Sequence, residues 1–172
     1  TNATYTLAQA DVGAAITVVA SYTDDDGYAN QKTSSATNSI VNVNDAPVIT
    51  SVAQSGAVVE ASDLTGTVTG SAYTVTDADP GDSHLFSVPT APAYGTATIN
   101  SVTGAWSYAV SASNATVDAL RLGQTLNDTF IVRVTDNGTT AGVADVRYAE
   151  QTVTITITGT NDAPVAVADT RA

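Results

Sequence analysis

Apolar and polar residues alternate with a period of two along most of the chain. The clearest run is residues 151–159, where Val153, Ile155 and Ile157 alternate with threonines. The same alternation marks the segments 15–22, 73–77, 105–110 and 130–136. A period of two is typical of a strand that buries one face. These segments therefore predict antiparallel sheets with one side packed and the other side in water.

Turn-forming residues separate these runs. Asp, Gly, Pro and Asn cluster between the apolar segments at 24–27, 77–82, 102–106 and 136–140. One stretch, 113–123, breaks the alternation, because Val117 and Leu120 are three positions apart between a Ser-Asn pair and Gly123. That stretch predicts one short helical turn. Several short strands at roughly ten-residue spacing predict an all-β fold, an antiparallel β-sandwich.

The pentapeptide Asn-Asp-Ala-Pro-Val occurs at residues 44–48 and again at 161–165. The two copies are about one small domain apart, so they predict joints between tandem modules and not a solenoid repeat. We expect residues 44–47 to be a linker and 48–160 to be one complete sandwich domain. Residues 161–172 are then a second linker and the start of a further module.

The first 43 residues parallel the end of the predicted domain. Residues 18–27, an apolar strand followed by Thr-Asp and a glycine turn, match residues 131–138 in the same features. Two or three strands are too few to close a core. We therefore interpret residues 1–43 as the C-terminal part of a preceding module.

The acidic composition of the chain limits the kinds of molecule that it can bind. The net charge is −12, and fifteen of the seventeen acidic residues are Asp. An acidic chain is a poor partner for nucleic acid or an anionic membrane surface, and no apolar run is long enough to insert into a membrane. Metal cations are the more natural partner. With no cysteine and one histidine, the usual nucleophilic sites lack their side chains, so we expect no enzymatic activity.

The run from Tyr94 to Gly138, with residues 159–165 after it, is similar to the VCBS repeats of large bacterial surface adhesins and RTX-type secreted proteins. Its last strands and Asx-rich linker also resemble the end of a cadherin repeat. Residues 5–27 resemble the Ig-like repeats found in tandem with them. The resemblance implies an Ig/cadherin-like sandwich, with residues 1–43 from an Ig-like repeat. It also implies an extracellular or cell-surface bacterial protein exported by type I secretion.

The cadherin resemblance implies a Ca2+ site at the first joint. The positions that match the family pattern are Asn42, Asn44, Asp45, Asp77, Asp79 and Asp136. The residues also give a weaker argument of their own. Asp77 and Asp79 are two positions apart at a strand end, so both can point the same way. Converging carboxylates repel one another unless a cation lies among them, and calcium prefers carboxylate, amide and carbonyl oxygens.

A second joint is implied by the same resemblance, through Glu60, Asn161 and Asp162. The match departs from the cadherin pattern in two respects. The first linker is one residue shorter and begins with Asn42 where cadherins have Asp, and no clear Asp-Arg-Glu motif is present. These departures imply that the three bridging ions of cadherins are reduced to one, or to none.

Plainer readings remain for each acidic segment. Asx-rich turns occur in many sandwiches without metal, so the pentapeptide alone also fits a simple linker. Residues 24–27 fit a solvated hairpin tip better than a half-site for a preceding joint. His84, the single histidine, is expected to be a surface residue.

Together these inferences predict a structural spacer and adhesion module that contacts neighbouring modules of its own chain and is stiffened by calcium. The main alternative is a module that binds a surface glycan or protein through exposed Tyr28, Tyr94 and Tyr148. A third alternative is an accessory domain of a secreted enzyme.

Overall fold

Short strands dominate the computed structural model, which describes residues 4–60, 66–111 and 114–161. The strands are β1 (Val19–Thr23), β2 (Ala29–Thr33), β3 (Val48–Ile49), β4 (Ser55–Val59), β5 (Thr67–Gly70), β6 (Val75–Thr76), β7 (Leu85–Thr90), β8 (Gly95–Ile99), β9 (Trp106–Val110), β10 (Thr125–Thr135), β11 (Thr139–Thr140), β12 (Val143–Ala144) and β13 (Tyr148–Thr158). A 3₁₀ turn spans Gln9–Asp11, and one helix, α1, spans Ala115–Asp118. Within the described ranges no helix is long and apolar enough to cross a membrane.

Two sheets form the layers of the complete module. One has the strand order β4-β13-β10-β7 and the other has the order β5-β9-β8. The described strand pairs are antiparallel except that β4 runs parallel to β13, from Ser55 opposite Thr154 to Val59 opposite Thr158. The predicted all-β, Ig/cadherin-like antiparallel sandwich is confirmed. The one parallel pair was not predicted, because period-two alternation is the same in either direction.

The core lies between these sheets and contains the side chains that alternation predicted for residues 105–110, 130–136 and 151–159, but none of those predicted for residues 15–22. Its buried apolar members are Val58, Tyr73, Phe86, Trp106, Tyr108, Val110, Val117, Leu120, Phe130, Val132, Val134, Val153, Ile155 and Ile157. The Trp106 and Phe130 rings meet edge to face with centroids 5.3 Å apart, which joins the layers. Gly70 lies flat against the indole, since a Cβ there would be 2.0 Å from Trp106 Cε2.

The predicted helical turn is the four-residue helix α1. The Asn114 side chain accepts hydrogen bonds from the backbone N–H groups of Thr116 and Val117, which caps the helix. Val117 and Leu120 are both buried and anchor the turn to the core. A helix this short is marginal by itself, so these two anchors stabilise it.

A buried carboxylate, Asp128, fastens the connection between β7 and β8 to the core. It accepts hydrogen bonds from the backbone N–H groups of Ala93 and Tyr94 at 2.9 and 2.8 Å and from the Tyr108 hydroxyl at 2.8 Å. Burial, and then the hydrogen bond and charge of Asp128, raise the pKa of Tyr108. Tyr94, predicted to be exposed, is instead partly buried and packs against the core.

The segment before the first linker forms a hairpin, β1–β2, without a core. No described residue before Asn44 is buried. The strand predicted over 15–22 begins only at Val19. Before that point the carbonyl of Ile16 accepts from the backbone N–H of Thr37, and the carbonyl of Val18 accepts from that of Ser34. These bonds are two residues apart on the first segment but three apart on the second, so the regular pairing of the two strands is lost.

Candidate metal centre at the module joint

Three segments meet where the linker enters the complete module. Strand β3 pairs with β6, with Val48 opposite Thr76, which places the linker beside the loop that starts at Asp77. Strand β10 ends at Thr135, so Asp136 begins the next loop at the same end of the sandwich. The fold therefore brings together two acidic loops and the linker from distant parts of the sequence.

Three carboxylates converge at this end of the module. Asp77, Asp82 and Asp136 each offer one oxygen, and these oxygens lie within 4.8 Å of one another. Asp136 is buried, and Asp77 and Asp82 are half-buried. Oδ2 of Asp82 is shielded from water and has no hydrogen-bond partner. A buried carboxylate oxygen without a donor is costly, and a bound cation would remove that cost.

The electrostatics of the cluster differ from one carboxylate to the next. Burial, and then the negative charges of Asp79, Asp77 and Asp136, raise the pKa of Asp82. Burial acts in the same direction on Asp77, but hydrogen bonds from His84 and the backbone N–H of Asp79 outweigh it and lower the pKa of Asp77. His84 Nε2 lies 2.9 Å from Asp77 Oδ2.

The linker reaches the cluster through Asn44. This side chain is fully buried, and its Nδ2 donates to Asp136 Oδ2 at 3.1 Å and to the carbonyl of Asp145 at 2.7 Å. Its Oδ1 is buried without a hydrogen-bond partner. Gly138 packs directly on this amide, since a Cβ there would be 1.7 Å from Asn44 Oδ1. Any side chain at position 138 would push Asn44 out of the joint.

Asp79 faces the linker. Its Oδ2 accepts from the backbone N–H of Asp45 at 2.7 Å, and its Oδ1 accepts from Gln9 Nε2 at 2.9 Å. The same Gln9 nitrogen donates to Asn42 Oδ1 at 2.9 Å. The carboxylate of Asp45 is exposed, so this residue contacts the joint through its backbone.

Two further residues fix the loop that follows Asp136. Asp145 accepts from the Thr140 hydroxyl at 2.6 Å and from Arg147 at 3.1 Å. These two hydrogen bonds, Thr140 first, lower the pKa of Asp145. The backbone N–H of Arg147 donates to Asp136 Oδ1 at 2.8 Å. The Arg147 side chain is paired with Asp145, and its charge also interacts with Asp136.

The donor set fits calcium. Its oxygens come from three carboxylates, which are hard ligands of the kind that calcium prefers. One of these oxygens, Oδ2 of Asp82, is buried without a hydrogen bond. A bound cation would give this oxygen a partner.

The structure places the six predicted residues in different positions. Asp77 and Asp136 belong to the cluster, and Asn44 contacts Asp136. Asp79 and Asn42 lie beside the cluster and share the Gln9 amide, while the Asp45 side chain points to solvent. The sequence reasoning missed Asp82, although it ends the same acidic turn as Asp77. It also missed Gln9, which no local pattern marks.

At the second predicted joint, Glu60 is buried and its Oε2 accepts from the backbone N–H of Thr160 at 3.4 Å. The Glu60 backbone N–H donates to the carbonyl of Thr158 at 2.8 Å, so Glu60 lies next to the exit of the chain. Asn161 is exposed. Asp162 lies outside the described residues.

The fold defines a β-sandwich module with a linker at its entrance. The family model for a bacterial cadherin-like domain matches residues 44–159. The chain therefore belongs to the bacterial cadherin-like domain family, and the match begins at the linker residue Asn44. No curated protein matches the sequence. Domains of this family are typically non-enzymatic and are found in surface or extracellular proteins.

Proposed function

We propose that this chain is a structural spacer in a large secreted or cell-surface bacterial protein, with calcium bound at the joint between modules. The observation that carries the proposal is the convergence of Asp77, Asp82 and Asp136 beside a linker amide, with a buried oxygen of Asp82 that lacks a donor. Family membership supports the spacer role.

The protein groups have distinct tasks in this proposal. Asp77, Asp82 and Asp136 would hold the ion, whose positive charge would offset their mutual repulsion. Asn44 and Gly138 tie the linker to the Asp136 loop, so the linker and the cluster are one unit. Pro47, which is fully buried, fixes the next turn of the linker against the module. Calcium at this point would fix the orientation of the preceding module relative to this one.

The energetic effect can be bounded. Extracellular calcium modules have Kd values on the order of 10⁻⁴–10⁻³ M. At ten times Kd, one site adds about 1.4 kcal/mol to the free energy of unfolding. This is a substantial part of the roughly 5–15 kcal/mol total that is typical of a domain.

Calorimetric titration with calcium and thermal melts in EDTA and in calcium test the site. We expect binding heat and a melting temperature that is lower in EDTA. The Asp82→Asn variant should lose both responses, while Asp118→Asn, a control at an exposed helix position, should keep them. An unchanged melt together with the absence of calcium heat in the unsubstituted protein would contradict the proposed site.

The same charges suggest when the module folds. Without calcium the repulsion in the cluster and the absence of disulfides would leave a weakly stable module. Export of an unfolded chain by type I secretion, followed by folding in a calcium-rich exterior, fits these properties. Amide hydrogen exchange in calcium-free buffer tests this sequence of events. Full native protection there would contradict it.

A further inference from the structure

The Gln9 side chain joins two oxygens at the joint that come from different segments. Its Nε2 donates to Asn42 Oδ1 and to Asp79 Oδ1, both at 2.9 Å. Asn42 belongs to the segment before the linker, whereas Asp79 belongs to the complete module. One amide group thus bridges the two parts of the chain by using both of its N–H donors.

The turn that carries Gln9 is fixed by local hydrogen bonds. Asp11 Oδ2 accepts from the backbone N–H of Ala8 at 2.8 Å, and Asp11 Oδ1 accepts from the Tyr5 hydroxyl at 2.8 Å. The backbone N–H of Val12 donates to the Gln9 carbonyl, which closes the 3₁₀ turn. These bonds direct Gln9 toward the joint, where it is part-buried.

Gln9 and Asp45 together occupy the carboxylate of Asp79. Since Oδ2 of Asp79 accepts from Asp45 and Oδ1 accepts from Gln9, both oxygens of Asp79 are engaged by N–H donors. The three carboxylates whose oxygens converge do not include Asp79. The two N–H groups of Gln9, one on an amide oxygen and one on a carboxylate oxygen, place partial positive charge there.

We infer that Gln9 is a latch that closes the joint when calcium is absent and competes with calcium for Asp79 and Asn42. This inference rests on the proposed calcium site. Release of Gln9 would make Asp79 Oδ1 and Asn42 Oδ1 available as ligands, so calcium binding is weakened by the cost of opening the latch. The joint then keeps a defined contact in both states and does not fall open when calcium is low.

Hydrogen exchange of side-chain amide protons, measured by NMR in EDTA, tests whether the latch exists. Gln31 is the matched control, because it is exposed and makes one long hydrogen bond, from Nε2 to Ser21 Oγ at 3.3 Å. The Gln9→Ala and Gln31→Ala variants assign the two signals. We expect the Gln9 protons to exchange roughly tenfold more slowly than those of Gln31, as hydrogen bonds to a charged acceptor would produce. Equal exchange rates would overturn the latch.

Calcium titrations of the same variants test the competition. Gln9→Ala should bind calcium several-fold more tightly than the unsubstituted protein, and Gln31→Ala should bind it equally well. In the unsubstituted protein, saturating calcium should abolish the slow exchange of the Gln9 protons. Weaker binding by Gln9→Ala would overturn the competition, because Gln9 would then assist the site. If no variant binds calcium, the proposed function fails, while the exchange rates in EDTA still decide whether the latch exists.

Discussion

The hairpins β1–β2 and β10–β13 have the same local design and opposite burial. In each, an Asp follows the first strand and its Oδ1 accepts from the backbone N–H two residues later, at 3.2 Å for both Asp24 and Asp136. Each Oδ1 also accepts from the residue just before the returning strand, from the backbone N–H of Tyr28 at 2.9 Å or of Arg147 at 2.8 Å. Each Oδ2 accepts from an asparagine amide.

The two hairpins differ in what covers them. Counted back from the shared Asp, Tyr22 corresponds to Val134 and Val18 corresponds to Phe130. Tyr22 and Val18 are 57% and 66% exposed, whereas Val134 and Phe130 are 0% and 1% exposed. The second hairpin faces the β5-β9-β8 sheet, and the first has no opposite layer among the described residues. Local sequence is therefore enough to form this hairpin, but a second layer is required to bury it.

The largest expected effect comes from removing a core side chain in one hairpin only. Phe130→Ala deletes a buried ring that meets Trp106 edge to face, and should lower the free energy of unfolding by about 3–5 kcal/mol. Val18→Ala, at the corresponding exposed position, should change it by less than about 0.5 kcal/mol. Urea denaturation followed by tryptophan fluorescence measures both. Equal losses would show that the first hairpin also has a core.

A smaller loss of stability should follow from removing the Asp that occupies the same turn position in each hairpin. Asp136→Ala leaves one N–H of the buried Asn44 amide and the Arg147 backbone N–H without an acceptor, which should cost about 1–3 kcal/mol. Asp24→Ala should open only its own hairpin and leave the global unfolding midpoint unchanged, since none of its partners is buried. Denaturation and amide exchange of residues 19–33 separate these outcomes. A shift of the global midpoint in Asp24→Ala would contradict the comparison.

The smallest expected effect is that of the Asp82 charge on stability, and its sign depends on whether calcium is present. The raised pKa of Asp82 means that the folded state holds this proton to a higher pH than the unfolded state does. The contribution of Asp82 to stability in EDTA should therefore decrease as the pH rises through that pKa, whereas the lowered pKa values of Asp77 and Asp145 contribute in the opposite sense. Asp82→Asn should remove this contribution and slightly raise the melting temperature in EDTA near neutral pH. Thermal melts of both proteins from about pH 4 to 8, a range that begins near the ordinary Asp pKa of about 3.9, check it.

Much of the fold could be predicted because its strands carry a one-sided apolar pattern. Val153, Ile155 and Ile157 alternate with threonines, and all three are buried. The same pattern misled at Val18 and Tyr22, because alternation shows which side can be buried but not whether another layer is present. The position of β4 beside β13 also depended on tertiary packing, which no local pattern records.

The candidate site was less predictable, because its contacts join distant segments. Asp77 and Asp136 stand out in turns and do converge. Asp82 joins them only because the loop turns back, and Gln9 reaches Asp79 from 70 positions away in the sequence. Whether the six predicted residues bind calcium remains a prediction that the titrations above test.

The parallel pairing of β4 with β13 has a mechanical consequence. β4 follows the point where the chain enters the module, and β13 precedes the point where it leaves. Tension applied through the two connections would slide these strands past each other, so all five residue pairs from Ser55–Thr154 to Val59–Thr158 would share the load at once. By contrast, strands that are pulled apart from one end break their hydrogen bonds one after another. This module is therefore built to resist being pulled from its two ends.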